Sequence, residues 1–203
     1  MPSFDAAFLR NVDLQEHLEL KELLMHPGWY RWWATEQVCR QLLGVHADGL
    51  MEHLTQGEAD LTGFRLIYVG IAPASKKHPN KPLLKARVLD WHIRQKHSLG
   101  NIKYGFLSTF RQSLSALLTR NMAAEQETNQ VIDQMKVELL PFESEADAAQ
   151  INQWLHEQEA MALEEHVIPL NIQGNGRLEI QIFKRYLKAA RSTAKQAGIQ
   201  ALT

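Results

Sequence analysis

Cysteine is almost absent from this chain. The one residue, Cys39 among 203, cannot close an intrachain disulfide or build a paired-cysteine zinc signature. Its place in a helical segment between Val38 and Leu42 marks it as a small buried hydrophobe. Long apolar runs are missing too: no stretch approaches the ~18 residues that a membrane span needs. The N-terminus mixes acidic, polar and apolar residues from Asp5 onward, without a basic start and an apolar stretch after it. A cytoplasmic location is therefore expected. Net charge is nearly missing as well, at -1, which on its face argues against a polyanion partner, because phosphates are contacted chiefly by lysine and arginine. Gly174-Asn175-Gly176 lacks the third glycine of a dinucleotide fingerprint. Nothing looks repetitive or disordered.

What is present changes the charge argument. Between Pro73 and His97 lie seven basic residues (Lys76, Lys77, Lys81, Lys85, Arg87, Arg94 and Lys96) against one acid, Asp90, while Glu143 to Glu165 holds seven acids and no Lys or Arg. Such segregation allows a basic face on a neutral molecule. Lys184, Lys188, Arg191 and Lys195, spaced four, three and four apart with no acid among them, would add a basic stripe on the last helix. The bland reading of that stripe is an ordinary solvated face.

With 45% hydrophobic residues the chain can bury one substantial core, so a single α/β (α+β) domain is expected. An apolar stripe through Leu14, Leu18, Leu23 and Leu24 predicts an opening helix over Val12 to Met25, ended by Pro27-Gly28. Trp29 to Trp33 reads as a strand, followed by a helical stretch from Thr35 through Leu43 and another near Leu50. Phe64 to Ala72 is a second strand, apolar enough to suggest a central, doubly covered position. The proline-rich segment Pro73 to Pro82 is a loop leading to a helix over Leu83 to His97. A helix opens at Thr109, which forms a capping box with Gln112, and a short one contains Val131 and Ile132. Lys136 to Phe142 is a third strand. Ser144 with Asp147 opens a long acidic helix that ends before Pro169, and a last helix spans Leu178 to Ala197.

On the acidic helix Ile151, Leu155, Glu159 and Ala162 recur at helical spacing, which puts a carboxylate on the apolar face. Burying it unpaired is costly, so an arginine, hydrogen-bond donors or a cation should meet it. A broader polar face or a structural ion pair is the plainer alternative. A metal there would be hard and oxygen-ligated, Mg²⁺ or Mn²⁺ with several waters retained. It suits phosphodiester hydrolysis, which needs an activated water, a neutralised leaving oxygen and a cation beside the equatorial oxygens. The planar fork of Arg87 fits the last role, unless it is simply a solvated helix arginine. Tyr30 and Tyr68 are core aromatics on the bland reading, with phenolic pKa values near ~10 that make poor bases unless a cation lowers them. His92 is a possible base or shuttle, one of nine histidines.

Gly28-Trp29-Tyr30 and Tyr68-Val69-Gly70, followed in order by Arg87, Glu159 and Asn171, resemble the motifs of the GIY-YIG nucleases over about Pro27 to Asn171. The resemblance implies a small mixed or antiparallel three-stranded sheet flanked by helices. It implies a nuclease-like core over about 27–175, with helical additions at 1–26 and 177–203, and a metal-dependent endonuclease acting on DNA. Tyr30 becomes the general base for the attacking water and Tyr68 a supporting donor. Arg87 becomes the phosphate clamp, Glu159 the ligand of Mg²⁺ or Mn²⁺, and Asn171 an organiser of the site. His92 resembles a histidine one helical turn beyond the arginine, although it lies five residues away where four would stack better on an α-helix. Arg94 and Arg111 are alternative clamps. Lys76, Lys77, Lys81, Lys85, Arg111, Lys184, Lys188 and Arg191 are the candidate nucleic-acid contacts. A catalytically inactive nucleic-acid-binding or assembly module on the same fold is the competing expectation, and hydrolysis of another phosphoester a third.

Overall fold

Gly28–Thr35 (β2) organises the molecule. A strand sends successive side chains to opposite faces, so its aromatic run feeds two cores: Tyr30, Trp32 and Ala34 pack into one, Trp29 and Trp33 into the other. The computed structural model describes residues 2–74, 83–95, 108–143 and 146–202. Lys76, Lys77, Lys81 and Ser144 lie outside them.

β2 sits in a four-stranded, wholly antiparallel sheet with order β1-β4-β2-β3, where β1 is Ser3–Asp5, β3 is Phe64–Ala72 and β4 is Met135–Pro141. The expected sheet had three strands. The additional one, β1, has three residues, too few to show alternation, and it draws residues 3–5 into the sheet where a helical addition was expected. β3 is an edge strand, not a central one. Its continuous apolar character reflects cover on both faces, and its outer edge is satisfied by non-strand groups. Leu66 N donates to Thr55 O at 3.0 Å, and Leu170 N to Ile67 O at 3.0 Å. The Asn171 side chain brackets Val69, Oδ1 accepting its N–H at 2.9 Å and Nδ2 donating to its carbonyl at 2.9 Å. A bulge opposite Trp32 and Trp33 leaves Ile67 unpaired and directs both Ile67 and Tyr68 into the Tyr30 core.

Only the second half of the expected helix over Val12 to Met25 is helical, as α2 (Leu18–Met25), and a separate helix, α1 (Ala6–Asn11), ends just before that span begins. Val12 is extended, Asp13 Oδ1 accepts from Gln15 N at 2.9 Å, and Arg94 donates to the carbonyls of Leu9, Arg10 and Val12. The local side-chain bond competes with helix continuation, and the arginine takes the carbonyls that the α1 terminus leaves open. α3 (Glu36–Leu43), capped by Thr35, and α4 (Ala47–Leu50) follow β2. Cys39 is buried in α3 with its thiol pushed up to about 12 by burial, as befits an inert core residue.

Lys85–Ile93 is wound as a π-helix, with Arg94 N donating to Leu89 O at 2.8 Å, five residues back. α5 (Thr109–Leu118) is capped by Ser108, whose Oγ accepts from Arg111 N, so the cap lies one residue before the expected Thr109. α6 is Glu125–Ile132. α7 (Ala148–Glu165) opens with a capping box between Asp147 and Gln150 and packs Ile151, Leu155, Ala162 and Leu163 against Trp29, Trp33 and Val69. α8 (Gln181–Ala201) closes the chain, burying Phe183, Leu187, Ala190 and Ala194. The face of the sheet that bears Tyr30 and Tyr68 is covered by the π-helix, α5 and α8. Among the described residues no helix is long and apolar enough to cross a membrane.

Candidate active site

The two motif glycines make room for what crosses them. Gly70 is the cross-strand partner of Tyr30, and a Cβ at Gly70 would lie 2.5 Å from Tyr30 Oη and 2.6 Å from Cζ. The phenol therefore lies over the glycine of the neighbouring strand. A Cβ at Gly28 would meet Leu140 O at 2.3 Å and Leu84 Cδ1 at 2.9 Å, so that glycine lets β4 and the segment before the π-helix close on the start of β2.

Held there, Tyr30 Oη lies 2.7 Å from His92 Nε2, and His92 Nδ1 lies 2.8 Å from Ser108 Oγ. Tyr68 Oη lies 3.1 Å from Thr109 Oγ1, and the two tyrosine ring centroids are 6.4 Å apart. Burial first, then the neighbouring Tyr68, raises the Tyr30 phenol well above its ordinary value; burial raises Tyr68 as well. The anionic phenolate that the sequence reading wanted is thus disfavoured by the protein alone. His92 moves the other way, well below its ordinary value, through burial and then the cations Arg87 and Arg111. It is a neutral imidazole at physiological pH, with one nitrogen free to accept.

The π winding accounts for the spacing of Arg87 and His92. In a helix closed by i→i+5 bonds, residues five apart lie one turn above another, so the extra residue relative to an α-helical turn leaves both side chains on the groove face. The Arg87 guanidinium stacks on the Trp91 ring, 4.7 Å from its centroid. Among the described residues no carboxylate forms a salt bridge with it. The two alternative clamps are otherwise engaged. Arg94 is bound to α1 carbonyls. Arg111, 1% exposed, donates to His92 O at 2.7 Å and to Asn129 Oδ1 at 2.7 Å, and burial lowers it to about 10. The expectation that Arg111 touches nucleic acid is corrected: its charge is spent inside the protein, holding the end of the π-helix. Lys85 pairs with Asp90 at 3.2 Å and does not line the groove.

Glu159 faces the tyrosines from α7. It is partly buried, and among the described residues neither a hydrogen bond nor a salt bridge engages its carboxylate. Burial raises its pKa, while His156, one turn earlier, and Arg87 act against that rise. An unpaired carboxylate and an unpaired guanidinium thus share one groove without bonding each other. A metal–phosphate unit would satisfy both, the cation on Glu159 and the anion on Arg87. Among the described residues no three His, Cys, Asp or Glu side chains form a metal cluster. A single carboxylate fits a hard cation that keeps most of its waters, and does not fit a zinc site with three or four protein ligands.

The groove has a volume of about 1480 Å³ and is lined by all of Tyr30, Tyr68, Arg87, His92, Glu159 and Asn171. Its far wall is α8, with Lys184, Lys188 and Arg191. Sequence reasoning missed Ser108, which orients His92, and Trp91, which carries Arg87. It also missed His156 and the groove-facing side of Gln112. Ser108 had a signal, a serine just ahead of an amphipathic segment; the others become visible only once the helix faces are known.

The family model of the GIY-YIG catalytic domain matches residues 28–193. Comparison with curated proteins gives no match, and comparison with solved structures gives none either. The matched span runs from the glycine beneath β4 to the basic face of α8, and the mixed α/β architecture with two motif tyrosines side by side on its sheet agrees with it. This chain belongs to the GIY-YIG family.

Proposed function

We propose that this protein is a metal-dependent endonuclease that hydrolyses DNA phosphodiester bonds in the groove between the sheet, the π-helix, α7 and α8. The observation that carries the reading is the desolvated Glu159 carboxylate across from the ring-stacked Arg87, neither of them in a salt bridge among the described residues. Glu159 would hold Mg²⁺ or Mn²⁺, and the ion would supply charge neutralisation at the leaving oxygen. Arg87 binds two oxygens of the scissile phosphate through its fork. Its stack on Trp91 fixes the plane of that fork.

Tyr30 and His92 form the proton path. With Nδ1–H donating to Ser108 Oγ, His92 Nε2 is the acceptor for the Tyr30 hydroxyl 2.7 Å away. As water attacks phosphorus, its proton passes to Tyr30 Oη while the Tyr30 proton passes to His92 Nε2. The phenol therefore never has to ionise in advance, which its burial disfavours. The bond from phosphorus to the leaving oxygen breaks, and solvent returns a proton to that oxygen. Tyr68, fixed by Thr109, donates to the phosphate. Asn171 keeps β3, and with it Tyr68 and Gly70, in register.

The reading is tested with supercoiled plasmid at low salt in Mg²⁺, Mn²⁺ or chelator. Conversion to nicked circles in either metal, and none in chelator, is expected. Salt-sensitive binding without any turnover in a folded protein would instead favour the binding-module alternative.

A further inference from the structure

The nuclease reading leaves Arg191 unused. It sits midway along α8, half-buried, and its Nη2 donates to Gln112 Oε1 at 2.7 Å. Gln112 is uncharged, and among the described residues no carboxylate pairs with Arg191. Burial depresses its pKa, which is the mark of a desolvated cation without a counter-charge. The arrangement parallels Glu159 with the sign reversed. A half-buried guanidinium held in one orientation by a neutral amide is prepared for an anion from outside.

Its position along the groove is also defined. Tyr68 bonds Thr109 in the first turn of α5, Gln112 follows one turn later, and Arg191 bonds Gln112. A polar row therefore runs from the second tyrosine to α8. Arg87 stands on the π-helix and Arg191 on α8, anchored to α5 through Gln112, and both line the groove that holds Glu159. Beyond Arg191 on the same helix face are Lys188, without a partner among the described residues, and Lys184, held by Asn175 O at 2.6 Å. The groove wall as a whole carries Arg87, Lys184, Lys188 and Arg191 against Glu159 and Glu164, an excess of cations on a protein of net charge -1.

We propose that Arg191, oriented by Gln112 and followed by Lys188, binds a phosphate flanking the scissile one, so that the strand to be cut runs along α8. This rests on the nuclease reading of the groove, but its test needs no cleavage.

The test is fluorescence anisotropy of a labelled single-stranded oligonucleotide in chelator, over a range of salt. Arg191→Gln should weaken binding about tenfold, as expected for a lost charge-assisted contact, and lower the slope of log affinity against log salt by about 0.7. Arg185→Gln, on an exposed part of α8 away from the groove, should change neither. Arg191→Lys keeps the charge without the fork, so it should retain the slope and lose part of the affinity. It stands in if the glutamine variant does not fold. An unaltered slope in Arg191→Gln, equal losses in Arg185→Gln, full affinity in Arg191→Lys, or no salt-dependent binding by the wild type would each overturn the proposal. A slope that falls without any plasmid nicking would keep the phosphate site and remove the nuclease; nicking with an unaltered slope would do the reverse.

Discussion

At the scale of single residues, the site is built from groups that the fold leaves chemically incomplete. Tyr30 depends on Gly70 beneath it. Gly70→Ala inserts a methyl group 2.5 Å from Tyr30 Oη, and the ring cannot move without leaving His92. The expected cost is about 1–3 kcal/mol in urea unfolding, typical of overpacking, together with loss of plasmid nicking; wild-type nicking would show that Tyr30 does not need this position. Glu159 makes a pH prediction. Its folded-state pKa is raised, so the stabilising contribution of its protonated form is complete below the unfolded value and lost as pH climbs through the folded one. In chelator, Glu159→Gln should therefore melt higher than wild type, with a gap that opens over the range from about pH 4 up through the raised folded-state value and then levels off. Saturating Mn²⁺ should stabilise the wild type and leave the variant unmoved. A constant gap across that range would mean that Glu159 is not desolvated as described. The residues legible in the sequence were those whose type alone limits their use, Tyr30, Tyr68, Arg87 and Glu159. Arg111 misled because a buried arginine serving backbone carbonyls and a surface arginine serving phosphates are the same letter.

At the scale of elements, two local irregularities do most of the positioning. The π-helix absorbs one residue, so the five-residue interval from Arg87 to His92 acts as one turn. Deleting Asp90 should let the segment rewind as an α-helix. Leu84, Val88, His92 and Ile93 would then sit at intervals of four, three and one, which still face inward. Nicking should stay within about tenfold of wild type, whereas inserting an alanine after Asp90 should cost on the order of 100-fold by misplacing His92. Equal activity in the two variants would remove the winding from the account. The second irregularity is the edge of β3. Asn171→Ala leaves the buried Val69 N–H and C=O without partners, and about 2–4 kcal/mol should be lost in urea unfolding; a loss below about 0.5 kcal/mol would mean that the edge closes without it. Periodicity found β2, β3, β4 and α7 because each is long and carries apolar side chains at a regular interval. It missed β1 for its shortness, and it placed β3 centrally because cover on two faces and neighbours on two sides leave the same apolar run. It also began α2 too early, at Val12, because apolar spacing does not register the local Asp13 side-chain turn, and the Arg94 contacts with the carbonyls of Leu9, Arg10 and Val12 come from a tertiary neighbour.

At the scale of the whole molecule, the fold brings together residues spread from Tyr30 to Arg191 and turns a neutral composition into a groove with more cations than anions. The order of the motif residues was readable in the chain, but the groove was not, because the wall formed by α8 depends on how that helix packs against α5. Its charge separates two functions. A binding module needs the basic wall alone. A nuclease also needs the carboxylate opposite, which repels a polyanion unless a cation covers it. The most direct measurement is therefore nicking of supercoiled plasmid in Mn²⁺ by wild type and Glu159→Gln, both shown to be folded and to bind DNA. The account predicts nicking by the wild type that chelator abolishes, with at least about a 1000-fold loss in the variant and DNA affinity maintained. Nicking at an unchanged rate in Glu159→Gln would contradict it.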